Sequence, residues 1–327
     1  MELRDKFGRK ISYLRLAITD RCNLRCQYCM PAQCINIVDR TDLLSYKEMY
    51  RLTRVLSELG VDKVLLTGGE PFVRKDFVNF LESLSFNDKL EEINITTNGA
   101  LISNHIDKLE ALNINAINLS IDSLQKDKFA KITRRDVFDR VYDTLEKLEK
   151  SKLKLKLNIV VQSGVNTDEI IDFIELSKEK DIAVRFIEEM PFNGTGEREV
   201  DFMDHKEILN HLEQYLPRLT PLPAATGNTS ENYSIKGHQG TIGIIAAWSR
   251  TFCSDCNRIR ITSTGELRNC LYDKGVLNLK RMLSDGASDT MIKEAVSKAY
   301  SQKHKDGHES EKRQIDSITE SMSSIGG

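Results

Sequence analysis

Six short β-branched runs, alternating with amphipathic stretches between Tyr13 and Glu188, constrain this chain more than any other feature. The runs cover residues 14–19, 63–67, 92–96, 116–121, 154–161 and 183–187. Each reads as a strand bounded by turn residues. Between the first two, Met49, Leu52, Leu56 and Leu59 recur at helical spacing within residues 45–59. Ser45 and Glu48 fit a capping box there, and Gly60 is a stop. Further helical patterns cover 77–84, 104–112, 137–150 and 168–180. Strand–helix alternation of this kind builds a parallel α/β sheet. Six units give an incomplete, TIM-like (βα)6 barrel with its active face at the strand C-termini.

After Met190 the pattern changes. A helix at 205–215 and a proline-containing loop lead to short strands at 241–246 and 258–262, then helices at 277–283 and 289–300. This divides the chain into a core at 5–225 and a C-terminal α+β extension at 226–327. Residues 321–327 read as a flexible tail. With 327 residues, 40% of them hydrophobic, a large core is available. The formal net charge of −2 gives no whole-molecule pull toward nucleic acid or membrane. An anionic substrate must therefore be met by a local cluster of Arg and Lys. The polar N-terminus and the lack of a long apolar run point to a cytoplasmic protein.

Seven cysteines make an odd count, and six of them fall into two tight groups, so a secreted disulfide framework is not expected. Cys22, Cys26 and Cys29 have the spacing C-x3-C-x2-C directly after the first strand. Such a loop can wrap three thiolates around one iron–sulfur cubane and leave one iron open, which is useful where a substrate must coordinate it. A structural zinc site would need a fourth ligand, and this loop has no histidine. A thioredoxin-like pair at Cys26 and Cys29 would leave Cys22 unexplained. Cys253, Cys256 and Cys270, spaced C-x2-C-x13-C, again offer three thiolates without an adjacent fourth. Here a zinc ribbon is the competing reading. Cys34 reads as a free thiol or a spare ligand.

The segment Cys22-Asn-Leu-Arg-Cys-Gln-Tyr-Cys29 resembles the radical S-adenosylmethionine (SAM) superfamily. Thr67-Gly-Gly-Glu-Pro71 is similar to that superfamily's cofactor motif. Its glycines can expose backbone groups, and Glu70 can add negative charge for an ammonium group. Arg15, Thr96-Thr-Asn-Gly99, Asn118-Leu-Ser-Ile-Asp122, Lys156-Leu-Asn158, Arg185-Phe-Ile-Glu188 with Met190, Cys253-Ser-Asp-Cys-Asn-Arg-Ile-Arg260 and the final Gly326-Gly327 narrow the match. Together they resemble GTP 3′,8-cyclase, the molybdenum-cofactor biosynthesis protein A family.

That resemblance implies two 4Fe–4S clusters, one on Cys22, Cys26 and Cys29 and one on Cys253, Cys256 and Cys270. SAM would lie against Tyr28, Gly68, Gly69, Glu70, Ser120 and Met190. GTP would be held by Arg15, Lys63, Thr96, Lys156, Arg258 and Arg260, with Arg185, Gly326 and Gly327 at the reacting centre. The implied product is (8S)-3′,8-cyclo-7,8-dihydroguanosine 5′-triphosphate, in the first step toward molybdopterin. The implied partners are an external low-potential electron donor and the downstream cyclic pyranopterin monophosphate synthase, and a homodimer is compatible with the resemblance.

The residues argue in the same direction on their own. No G-x-x-x-x-G-K-[ST] loop occurs, so a Walker-type triphosphate site is excluded. Arg15, Lys63, Lys156 and Arg185 sit on predicted strands, where inward charge is unfavourable unless an anion pairs with it. The sequence departs from the family at Leu65, where an arginine that contacts GTP is usual. Two rivals remain. A peptide-modifying radical enzyme generally brings more C-terminal cysteines, and a ferredoxin-type electron carrier needs four ligands per cluster and no substrate barrel.

Overall fold

A computed structural model describes residues 2–31, 37–192, 202–216, 219–224, 227–312 and 320–326. Six strands, β1 (Tyr13–Ala17), β2 (Lys63–Thr67), β3 (Glu92–Thr97), β4 (Ala116–Ser120), β5 (Lys154–Val161) and β6 (Ile182–Glu188), pair in parallel and in chain order. Alternation sorts their side chains. On β5, Leu155, Leu157, Ile159 and Val161 are buried, whereas Lys156, Asn158 and Val160 are only partly so. The buried set belongs to one apolar core with Met49, Leu52 and Leu56 of the helix Tyr46–Ser57. That helix starts at a reciprocal Ser45–Glu48 capping box, which relieves its unpaired N–H groups.

Three helices among the described residues, Lys126–Thr133, Gly307–Lys312 and Met322–Ile325, were not visible in the sequence pattern. Lys126–Thr133 buries only Phe129, Ile132 and Thr133, and its charged residues blur the periodicity. It buttresses the first cysteine loop: the carbonyls of Thr133 and Ile132 accept the backbone N–H groups of Arg25 and Gln27 at 2.9 and 3.1 Å.

Beyond residue 216 come β7 (Leu219–Pro221), β8 (Ser230–Ile235), β9 (Thr241–Ile245), β10 (Arg258–Ile261), β11 (Glu266–Arg268) and β12 (Leu277–Asn278). These strands join the same sheet at both edges. β9 pairs in parallel with β6, and β10 in parallel with β1. The sheet order is therefore β12-β11-β10-β1-β2-β3-β4-β5-β6-β9-β8-β7. Residues 225 and 226, the boundary expected from sequence, lie outside the described residues.

The flexible tail expected at 321–327 is corrected over residues 321–326. Met322–Ile325 is a helical turn, and Ile325 is 1% exposed against Phe192 and Tyr272. The Met322 N–H bonds the Phe192 carbonyl at 2.9 Å, and the Arg268 guanidinium grips the Glu320 carboxylate with two bonds of 2.6 and 2.8 Å. Apolar anchoring and paired backbone groups hold this segment where exposed chain ends normally fray. Among the described residues, no helix is long and apolar enough to cross a membrane.

Candidate radical site

The first cysteine loop leaves β1 and is zipped to the turn that follows β2. Gly69 N–H donates to the Thr19 carbonyl at 2.7 Å, and Glu70 N–H to the Arg21 carbonyl at 2.8 Å. A Cβ on Gly68 would sit 2.4 Å from Thr19 O, and one on Gly69 would sit 2.2 Å from Arg21 O. The two glycines thus permit close approach of two backbones as well as lining the cavity. Glu70 is turned away from the cavity. Its carboxylate accepts from Asn98 N–H (2.7 Å), Phe72 N–H (3.1 Å) and the Thr97 hydroxyl (2.9 Å). Burial still pushes it up to about 7.

Burial, reinforced by Glu70, raises the Cys22 thiol to about 11. Burial and the Cys22 charge raise Cys29 to about 12, and burial with Asp122 beside it lifts Cys26 well above its usual value. Three such thiols stay protonated at neutral pH unless a metal centre replaces the protons. Hydrogen bonds already reach the sulfur of Cys22, from Leu24 N–H at 3.4 Å and Asn98 Nδ2 at 3.6 Å. Such bonds orient and tune cluster ligands. The Tyr28 hydroxyl donates to Asp122 at 2.7 Å, tying the loop to the end of β4.

The second trio is held from two sides. Arg9, in a buried 2.6 Å ion pair with Asp5, donates to the Cys253 carbonyl at 2.9 Å. Cys270 follows β11. Burial raises Cys253 and Cys270. Burial also pushes Cys256 up, but Lys303 and Arg258 outweigh it and hold this thiol at about 6.

All six cysteines line one cavity of about 330 Å³. Among the described residues, no group of three or more His, Cys, Asp or Glu is gathered as a single metal ion requires. Three thiols on one cavity wall are the donor set that a cubane with one open iron takes.

Of the residues expected around SAM, Tyr28, Gly68, Gly69, Ser120 and Met190 line the cavity with the first trio. Arg15, Arg185, Arg258 and Arg260 line the same cavity. Register brings them together: Arg15 is opposite Arg260, and Tyr13 is opposite Arg258. None of the four forms an ion pair among the described residues, and the Nε atoms of Arg15, Arg185 and Arg258 are buried without a partner. Arg185 is fixed through Asn118 Oδ1 (2.8 Å), whose amide reaches the Thr96 hydroxyl (3.2 Å). Burial and Arg15 push Arg185 down to about 10, and burial with Arg15 and Arg258 pushes Arg260 to about 9. Leu65, opposite Arg15, also lines the cavity.

The remaining residues lie elsewhere. Lys63 pairs with Glu92 at 2.6 Å beside Tyr13 and does not line the cavity. Lys156 is outside the lining as well, pushed down to about 8 by burial and by Arg185 and Lys63. The Gly326 carbonyl accepts from Arg260 at 3.0 Å. Gly327 and Cys34 lie outside the described residues.

Sequence reasoning missed Asp122 and Glu188 as site residues. Glu188 accepts the N–H groups of His205 (2.6 Å), Trp248 (2.8 Å) and Ser249 (2.7 Å) and the Ser249 hydroxyl (2.6 Å), fixing the loop before the second trio. Both acids stood inside quoted motifs, at the ends of predicted strands. That position was the available signal.

A parallel sheet with a three-cysteine loop after its first strand defines the radical SAM class. Residues 16–177 match the family described as the radical SAM superfamily, and residues 182–309 match Molybdenum Cofactor Synthesis C. GTP 3′,8-cyclase of Syntrophomonas wolfei is 43% identical over 293 residues, 89% of this chain and 90% of that one. This chain belongs to the GTP 3′,8-cyclase family. It is also 40% identical over 300 residues to molybdenum cofactor biosynthesis protein moc-5 of Caenorhabditis elegans, covering 91% of this chain but only about half (50%) of that longer relative. Streptococcus suis SuiB superposes with a TM-score of 0.63 at 16% identity, over 91% of this chain and 67% of that one. At that identity the likeness concerns the fold alone.

Proposed function

We propose that this chain converts GTP to (8S)-3′,8-cyclo-7,8-dihydroguanosine 5′-triphosphate by radical SAM chemistry, the first step toward molybdopterin. The observation that carries the reading is the set of four arginines, without ion-pair partners among the described residues, that line one cavity with two cysteine trios. Guanidinium groups gathered on one cavity wall, buried or half-buried and repelling one another, call for a multiply charged anion, and a nucleoside triphosphate is one.

When bound, the cluster on Cys22, Cys26 and Cys29 supplies reductive cleavage of SAM to methionine and a 5′-deoxyadenosyl radical. The chain's residues do the rest. Tyr28, Gly69, Ser120 and Met190 orient SAM. Arg15, Arg258 and Arg260 hold the triphosphate with Thr96 beside them, and Lys156, outside the lining, adds positive charge through space near Arg185. Lys63, neutralised by Glu92, is left out of this set. Arg185, fixed by Asn118, stands beside the ribose and presents it for hydrogen abstraction at the 3′ carbon, and the apolar wall keeps water out. Cys253, Cys256 and Cys270 would hold a second 4Fe–4S cluster facing the guanine. We further read β1–β6 as an incomplete (βα)6 barrel and residues 226–327 as the extension that carries the second cluster. An external low-potential donor and a downstream synthase that consumes the product complete the proposal, which is set in the cytoplasm.

The test is anaerobic reconstitution, iron and sulfide analysis, and mass spectrometry of the products from GTP with SAM and a reductant. The expected result is about eight irons per chain and a cyclised nucleoside triphosphate dependent on SAM. Cleavage of SAM that leaves GTP unchanged would exclude GTP as substrate, and zinc in the second site would exclude the second cluster.

A further inference from the structure

Lys303 lies just past the helix Asp289–Ser301 and is only 3% exposed. Its ammonium donates to the Arg258 carbonyl at 2.7 Å and to the sulfur of Cys256 at 3.4 Å. It also stands 5.1 Å from the centre of the Tyr300 ring. Among the described residues no carboxylate forms an ion pair with it. The segment carrying it is locked in place, because Arg9 donates to the carbonyls of His304 (2.5 Å), Lys305 (2.7 Å) and Cys253 (2.9 Å) together. One buried arginine therefore fixes both the loop bearing the second trio and the residues that deliver Lys303 to it.

An ammonium withdrawn from water is strongly unfavourable unless a negative charge faces it. The anionic candidate within hydrogen-bond reach of Lys303 is the Cys256 thiolate. Three thiolates on a 4Fe–4S core of charge two-plus leave one net negative charge, and reduction adds a second. A fixed positive charge touching one ligand sulfur stabilises the reduced state more than the oxidised one.

We infer that Lys303 is the built-in counter-charge of the second cysteine trio, a positioning residue that orients Cys256 and favours the reduced state of a cluster held there. The inference rests on the reading that this trio carries a cluster. Nothing in the sequence near Cys256 signals it, since Lys303 arrives from 47 residues away.

The experiment compares the full-length wild type with K303M and K303R, each reconstituted anaerobically. Iron is counted, and both clusters are titrated potentiometrically with their paramagnetic resonance signals followed. In K303M the second cluster should shift to a more negative potential while the first stays where it is in the wild type. K303R, which keeps the charge, should stay near the wild type. Loss of about half the iron in K303M alone, with K303R loaded, also supports the charge role. An unshifted second cluster in K303M overturns the inference, as does equal loss of iron in both variants, which would mean that shape alone matters. A wild type holding about four irons would instead sink the two-cluster reading, an outcome distinct from all of these.

Discussion

Replacing Gly69 with alanine would put a methyl carbon 2.2 Å from Arg21 O and 2.5 Å from Arg21 C. Both are backbone atoms, so no rotamer change can relieve the contact. The two strands of chain must separate, breaking the bonds from Gly69 N–H to Thr19 O and from Glu70 N–H to Arg21 O. Each bond contributes about 1 kcal/mol net, and overpacking against an unyielding neighbour adds about 1–3 kcal/mol. The total, about 3–5 kcal/mol, falls on the segment that leads into Cys22. Gly69 has no positive φ, so this loss is steric. Gly164 is the matched control, because its φ is +67° and nothing lies within 4 Å of its Cβ. Alanine there tests backbone strain alone, about 1–2 kcal/mol. The expected outcome for G69A is loss of about half the iron with failure to cleave SAM, while G164A keeps both. Iron analysis, SAM cleavage and thermal denaturation would be measured on all three proteins. A G69A protein that loads fully and cleaves SAM at the wild-type rate would refute the close-approach argument.

G326A would force a left-handed φ of +77° on alanine and place its Cβ 3.0 Å from the Ala17 Cβ. It should lower the ratio of cyclised GTP to 5′-deoxyadenosine without abolishing SAM cleavage, and an unchanged ratio would make the docked tail irrelevant to turnover. Lys156 is held down to about 8, so its charge is lost as pH rises through 8. The KM for GTP should rise above that pH in the wild type but not in K156M. Without substrate the sign reverses for stability: the unfolded chain binds more protons between about 8 and the usual 10.5, so stability rises with pH there relative to K156M, as paired thermal melts would reveal. E188Q must turn an NH2 group toward the N–H donors of either His205 or the Trp248–Ser249 pair. Each donor left unpaired costs about 1–3 kcal/mol, so the melting temperature and second-trio iron should fall together, and wild-type values of both would show that the loop is held by other contacts.

Strand and helix alternation, the Ser45–Glu48 box and both cysteine trios were legible because each is encoded over a few adjacent residues. A period of two, a capping pair or a C-x2-C spacing is a local property of the chain. The helix Lys126–Thr133 was not legible, because burying only Phe129, Ile132 and Thr133 leaves too short an apolar stripe to read as a period. Glu70 was assigned to the cofactor since a carboxylate after two glycines can face a ligand. Its partners are Phe72 on its own turn and Thr97 and Asn98 at the end of the next strand.

Local pattern also says which face of a strand a residue occupies, but not which residue of the next strand stands beside it. For that reason Arg15, Arg185, Arg258 and Arg260 could be suspected one by one, while their gathering in one cavity depends on β10 joining the sheet beside β1. Lys63, equally suspect, is instead neutralised by Glu92 across the β2–β3 register. The sequence alone carried the order of β1–β6, the spacing of the two cysteine trios and the resemblance to the family. The tertiary structure decided how charge is balanced, which sulfur Lys303 touches and where the tail rests. Such charges and contacts act through space over a few ångströms, and only the folded chain brings residues hundreds of positions apart within that reach.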